Sequence, residues 1–258
     1  MKTRWTIPLL VLTLACSSAA DGTGVTLVHT KDLHAPYDGL LTRHVRGGAV
    51  DYAGLSKEAA VLDAYLAKLA VEDETKLPRA DRLAFWINAY NAFTLALVLE
   101  PEERPKSIRD LPSPWDSRRW KAAGRTLSLN DIEHEILRKE FREPRIHFAL
   151  VCAARSCPDL RSEAWQADRI EEQLADATAR FLGDRTKGLA TGTASDGKPF
   201  LRLSRLFDWY RADFETEGGT VLDFLIPRLG ERDGAWLRQF REPVRVEYLE
   251  YDWSLNDR

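Results

Sequence analysis

The stretch Arg145-Ile146-His147-Phe148-Ala149-Leu150-Val151-Cys152-Ala153-Ala154-Arg155-Ser156-Cys157-Pro158 gathers an imidazole and two thiols into one short segment. A thiol near a histidine and a helix start can be held as thiolate, the form that attacks carbonyl carbon. Cys157, lying in the turn after an apolar run, is therefore a candidate nucleophile, with His147 or His134 as its base. The same two sulfurs allow other fates. In an oxidising compartment Cys152 and Cys157 can close a small disulfide loop, or they can be buried and inert. A zinc site from His134, His147 and Cys157 lacks the paired spacings such sites use, and no metal or other cofactor is expected.

A second candidate group lies just upstream. Ser128-Leu129-Asn130-Asp131 reads as a capping-box start for a helix running to about Phe141. Leu129, Ile132, Ile136, Leu137 and Phe141 form its apolar stripe, and Glu133 falls near the stripe's centre with His134 at its edge. A carboxylate so placed needs partners. It could pair with Arg82 or Arg145, or it could act as a base or orient a histidine. Asn88 and Asn91 pose the same question on the helix of residues 80–100, which is apolar nearly all round and therefore central. A buried amide left unpaired costs about 1–3 kcal/mol, so each must bond to backbone or water or serve a site.

The elements that must position these groups follow from periodicity. Residues 58–72, 80–100 and 168–183 read as helices, with further helices near 205–215 and 219–229. Arg119–Leu127 and the segments around Asp196-Gly197 read as hairpins. Ile146–Cys152 and Val244–Trp253 read as strands. In that strand His147 shares a face with Ala149 and Val151, opposite Cys152. This order predicts an α+β single domain, with a buried central helix packed on a largely antiparallel sheet. A papain- or transglutaminase-like arrangement is one form it could take.

Composition narrows the classes. The chain has 258 residues, 44% hydrophobic and 30% charged, which is too apolar for disorder and too charged for a multispanning membrane protein. A net charge of −3 without a basic run argues against nucleic acid as a partner. Lys2 and Arg4 precede an apolar run from Thr6 to Ala15, too short for a bilayer span, so residues 1–15 read as a signal peptide. Thr13-Leu14-Ala15-Cys16 resembles a bacterial lipobox with Thr where Leu is preferred, and it predicts lipidation at Cys16. Cleavage near Ser17-Ser18-Ala19 would instead release the protein to the periplasm. Ser17 after the cysteine points to the outer membrane. Residues 16–37 are then a lipid-anchored tether and 38–256 the domain.

Several separate motifs carry a family resemblance. They are Gly48-Ala49-Val50-Asp51-Tyr52, Phe85-Trp86-Ile87-Asn88-Ala89-Tyr90-Asn91-Ala92, Ser128–His134, Arg145–Leu160 and Tyr251-Asp252-Trp253-Ser254-Leu255-Asn256. Together they resemble the domain of unknown function 547, whose members occur in bacterial envelope proteins and, with other domains, in eukaryotes. The resemblance implies one domain and supplies no reaction. Three functions are open. The first is an uncharacterised envelope binding or scaffold module with a polar pocket, its partner an envelope protein, a peptide or a peptidoglycan ligand. The alternative is a thiol-dependent hydrolase or transferase of papain or transglutaminase type acting on peptide or peptidoglycan amides. It would use Cys157, with His147 or His134 as base and Glu133 or Asn88 as orienter. The third is a redox protein cycling Cys152 and Cys157, although C-x4-C is wider than the usual redox spacing.

Overall fold

The computed structural model describes residues 23–215, 218–242 and 244–258, so the expected leader and Cys16 lie outside the described residues. Helix α1 (Thr23–His44) leads into a tight hairpin of β1 (Val45–Arg46) and β2 (Ala49–Val50). Its turn residues Gly47 and Gly48 have φ of 55° and 82°, and a Cβ at Gly48 would drive into the Asp159 side chain. Leu33, His34 and Tyr37 on α1 are buried. The packed unit thus begins within the stretch expected as tether, because its buried side chains there pack against α3 and α4.

Helix α2 (Tyr52–Ser56) is capped by Asp51, which accepts from the Gly54 N–H at 2.8 Å. Helix α3 (Ala59–Val71) buries Leu62, Tyr65 and Leu69, the spacing that predicted it. Helix α4 (Arg79–Leu99) follows Pro78 and is central, with Phe85, Trp86 and Ile87 fully buried on successive faces. It is long and apolar enough to cross a membrane, yet 83% of that window is buried inside the protein, as a core helix requires. Its main contacts are α1, α3 and two later helical segments rather than a sheet.

Strands β3 (Trp120–Ala122) and β4 (Arg125–Leu127) form the expected hairpin. Its turn docks on the end of α3, where Ala123 and Gly124 donate to the Leu69 and Ala70 carbonyls at 2.9 Å. The helix foreseen after Ser128 is present from Asp131 to Phe141 but is π-wound. Its reciprocal cap is formed: Asp131 N–H donates to Ser128 Oγ at 2.9 Å and Ser128 N–H to Asp131 Oδ2 at 2.8 Å. The π winding puts Ile132 over Leu137 and Ile136 over Phe141, five apart, and leaves Glu133 facing inward.

The strand expected over Ile146–Cys152 is absent. Pro144–Phe148 is a short 3-10 helix ending in a turn at Ala149, and Leu150 to Cys152 lie outside any strand. Helix α5 (Ile170–Gly183) follows. Strands β5 (Leu189–Thr193) and β6 (Pro199–Leu203) make the hairpin read from Asp196-Gly197, and β7 (Arg245–Tyr248) joins β6 in parallel. Between them lie α6 (Leu206–Trp209), α7 (Arg211–Phe214), α8 (Val221–Leu225) and α9 (Glu231–Gln239). The fold is α+β, as expected. Its sheets are small, pairing is mostly antiparallel, and helices and loops surround the central helix.

The C-terminal segment closes the structure. Asn256 N–H donates to Ala153 at 2.9 Å, Leu255 to Lys106 at 2.8 Å, and Val50 to Asn256 at 2.9 Å. Tyr52 adds a side-chain bond to Asn256 Oδ1 at 2.9 Å.

Candidate functional site

The two asparagines of α4 act as backbone clamps. Asn88 pairs with a single residue, donating to the Trp165 carbonyl at 2.8 Å and accepting its N–H at 2.9 Å. Asn91 clamps the segment after Phe148 across two residues: its amide donates to the Ala149 carbonyl at 2.9 Å and accepts the Val151 N–H at 2.9 Å. A side-chain amide carries one donor face and one acceptor face, so it can replace a neighbouring strand. Asn88 is thereby removed from the candidate catalytic set. Asn91 positions the segment on which Leu150 and Cys152 reach a cavity.

That cavity has a volume of about 300 Å³. Glu133, His147, Cys152 and Cys157 line it together, so two of the candidate stretches meet there, while Asn88 does not reach it. His134 does not line it. Its Nδ1 accepts from Arg138 Nη1 at 2.9 Å, one residue removed from the cavity. A zinc trio of His134, His147 and Cys157 is not assembled, and no cluster of three or more His, Cys, Asp or Glu suits a metal among the described residues.

His147 is buried, and its two nitrogens face two carboxylates. Nε2–H donates to Asp213 Oδ2 at 2.7 Å, while Nδ1 lies 3.9 Å from Glu133 Oε1. Tyr210 stacks on the imidazole at 3.9 Å between ring centroids. Asp213 in turn accepts both Arg138 Nε at 2.6 Å and Arg138 Nη2 at 2.8 Å. Burial acts to raise the Asp213 carboxyl, but hydrogen bonds from His147 and Arg138 outweigh it and hold the group well below the usual carboxylate range. The orienter of His147 is thus Asp213, a residue absent from the sequence candidates. Arg211-Ala212-Asp213-Phe214 looks like an ordinary charged turn, and nothing local marks its partner 66 positions away.

Glu133 meets neither arginine proposed for it. Arg82 pairs with Glu74 and Glu140, and Arg145 with Glu143 and Glu171. Its neighbours are phenols. Burial first, and then the Glu133 charge, push the hydroxyls of Tyr90, Tyr210 and Tyr251 far above their ordinary range, so all three remain protonated donors at neutral pH. The outer wall is aromatic. Trp209, Tyr251 and Trp253 pack as a trio with centroid separations of 4.5–5.8 Å, Trp115 meets Trp253 at 5.9 Å, and Trp209 is 46% exposed at the mouth. Tyr90 and the Tyr251-Asp252-Trp253 run stood in the quoted motifs, which is the one signal that could have found these walls.

Cys152 and Cys157 are joined as a disulfide, one of the fates their spacing allowed. Cys157 therefore holds no free thiolate, and the imidazole nearest in the cavity is directed to Asp213 rather than to sulfur. The parts of the hydrolase alternative do not assemble as a cysteine–histidine pair.

Fold and cavity define an α+β protein with an aromatic-walled pocket over a carboxylate–imidazole–carboxylate row. Residues 75–182 match the family model described as protein of unknown function, DUF547. No curated protein and no solved structure matches the chain. The matched segment supplies Tyr90, Glu133, His147 and the disulfide. Asp213, Tyr210 and most of the aromatic wall come from the residues after it.

Proposed function

We propose that the cavity is the ligand site of a cell-envelope binding module, carried to the envelope by the leader expected in residues 1–15 and anchored through Cys16. The observation that carries this reading is the pocket itself: about 300 Å³, walled by aromatic rings, with a buried carboxylate and a fixed imidazole at its floor. Small-ligand sites have this make-up, an apolar body with few, rigidly held polar groups. Asp213 and Tyr210 fix the ring of His147, so its orientation does not have to be ordered when ligand arrives, which lowers the entropic cost of binding. Peptides and peptidoglycan fragments suit it, because their amide and sugar groups can meet Glu133 and the tyrosine hydroxyls while their apolar faces stack on tryptophan.

Tryptophan fluorescence titration with a set of short peptides and muropeptides tests the reading. A saturable change for at least one fragment, weakened about tenfold or more by Glu133→Gln as a lost charged hydrogen bond predicts, supports it. The absence of saturable binding across the set, or unchanged affinity in both Glu133→Gln and Trp209→Ala, would reject it. The anchor is checked separately: Cys16→Ala releases the protein from membranes, and unchanged fractionation excludes lipidation.

A further inference from the structure

We propose that the Cys152–Cys157 disulfide is an exchange centre that takes electrons from a small dithiol entering the cavity, with Cys152 the sulfur attacked and Cys157 the sulfur that leaves. The two sulfurs are not equivalent. Cys152 is half-buried and Cys157 buried, although both line the cavity. The Cys152 backbone N–H donates to Cys157 Sγ at 2.9 Å, and the Tyr251 hydroxyl donates to it at 3.3 Å. The same Tyr251 oxygen lies 3.4 Å from Cys152 Sγ, and its one proton serves one sulfur at a time, so among the described residues the backbone N–H is what sets Cys157 apart. Two donors on one sulfur favour the negative charge that forms there when the bond breaks, and a better-stabilised leaving thiolate departs faster. Tyr251 stays protonated to do this, since burial and the Glu133 charge both raise it.

A purely structural staple accounts poorly for the bond. It spans five positions, and short loops gain least from cross-linking. The backbone around it is already held from both sides. Asn91 grips Ala149 and Val151, while Asn256, Ser254 and Asp252 bond to Ala153, Arg155 and Ser156. Opening the disulfide therefore leaves the segment in place, as a reversible centre needs.

The step balances as follows. A thiolate of the dithiol attacks Cys152 Sγ, a mixed disulfide forms, and the electron pair of the broken S–S bond goes to Cys157 Sγ. The second thiolate of the dithiol then attacks its own mixed sulfur, closing the substrate disulfide and releasing Cys152. The two protons lost by the dithiol end on Cys152 and Cys157. The substrate is oxidised by two electrons, the protein disulfide is reduced to two thiols, and exchange with a more oxidising disulfide restores it.

The full chain is treated with 2-mercaptoethanol at neutral pH, quenched in acid and mapped by mass spectrometry. The adduct is expected on Cys152 with a free thiol at Cys157; an adduct on Cys157 overturns the assignment. Reduction of the native protein by dithiothreitol is then timed by alkylation. Tyr251→Phe is expected to slow it about tenfold, the effect of losing one hydrogen bond to a developing thiolate. A disulfide that is reduced only as fast as the protein unfolds, with no adduct on the native chain, overturns the proposal. Should Tyr251→Phe not fold, the position of the adduct on the unaltered chain decides alone.

Discussion

Glu74 and Glu133 are both buried glutamates beside the central helix, and their surroundings are opposite. Glu74 is saturated: it accepts from Arg82 Nε at 3.0 Å, Arg125 Nη2 at 2.7 Å and the Trp86 indole at 2.9 Å. Glu133 has no guanidinium on it. His147 Nδ1 lies 3.9 Å away, Arg138 feels its charge without an ion pair among the described residues, phenols surround it, and one side opens on the cavity. The first arrangement offsets the cost of burying charge entirely within the fold. The second leaves part of that offset to whatever enters. Burial alone does not mark a functional carboxylate; the identity of its partners does.

The same substitution at both sites tests this contrast. Glu74→Gln is expected to cost about 2–3 kcal/mol in urea denaturation, because two guanidinium groups lose their shared anion; their partial exposure keeps the loss below that of a fully buried pair. A loss below about 1 kcal/mol would remove the distinction. Asp213→Asn should cost about 1–2 kcal/mol at neutral pH, since it breaks charged hydrogen bonds to His147 and Arg138. The sign of its pH dependence follows from a lowered folded-state pKa: the stabilisation is full above the ordinary carboxylate value near 4 and fades as pH falls through the lower folded value. The gap in melting temperature between the unaltered chain and Asp213→Asn should therefore narrow from pH 6 to pH 3, and a constant gap would show that the charge is not what matters. Glu133→Gln should change stability by less than about 1 kcal/mol, for Arg138, which feels the Glu133 charge, keeps its direct ion pair with Asp213. Trp209→Ala, at the exposed mouth, should cost no more than about 1 kcal/mol by the same melts, the loss of its packing on Tyr251 and Trp253.

The parts of the molecule visible in the sequence are those whose signal is local. The caps at Ser128 and Asp131, the turn at Asp196-Gly197, and the all-round apolar face of residues 80–100 each depend on residues a few positions apart, and each element formed. Ile146–Cys152 misled because an apolar run reports burial, not its hydrogen-bond partner. Here the partner is the Asn91 amide instead of a strand, so the assumed alternation of His147 and Cys152 across two faces does not exist. Glu133 was placed inward correctly even though its helix winds as π, since apolar residues four and five apart satisfy either winding over this length. Asp213 and the Trp209–Tyr251–Trp253 wall stayed hidden because they meet the earlier residues only through chain closure over long separations.

The hydrogen bonds of residues 252–256 to Val50, Lys106, Ala153, Arg155 and Ser156 have a consequence for how the molecule is made. Tyr251 and Trp253 sit in that run, so a growing polypeptide can assemble its helical centre early yet cannot wall in the hollow until residues 251–256 have left the ribosome. Until then the cavity beside Glu133 and His147 lacks its aromatic wall, and the proposed ligand could be held only by a chain synthesised through Trp253.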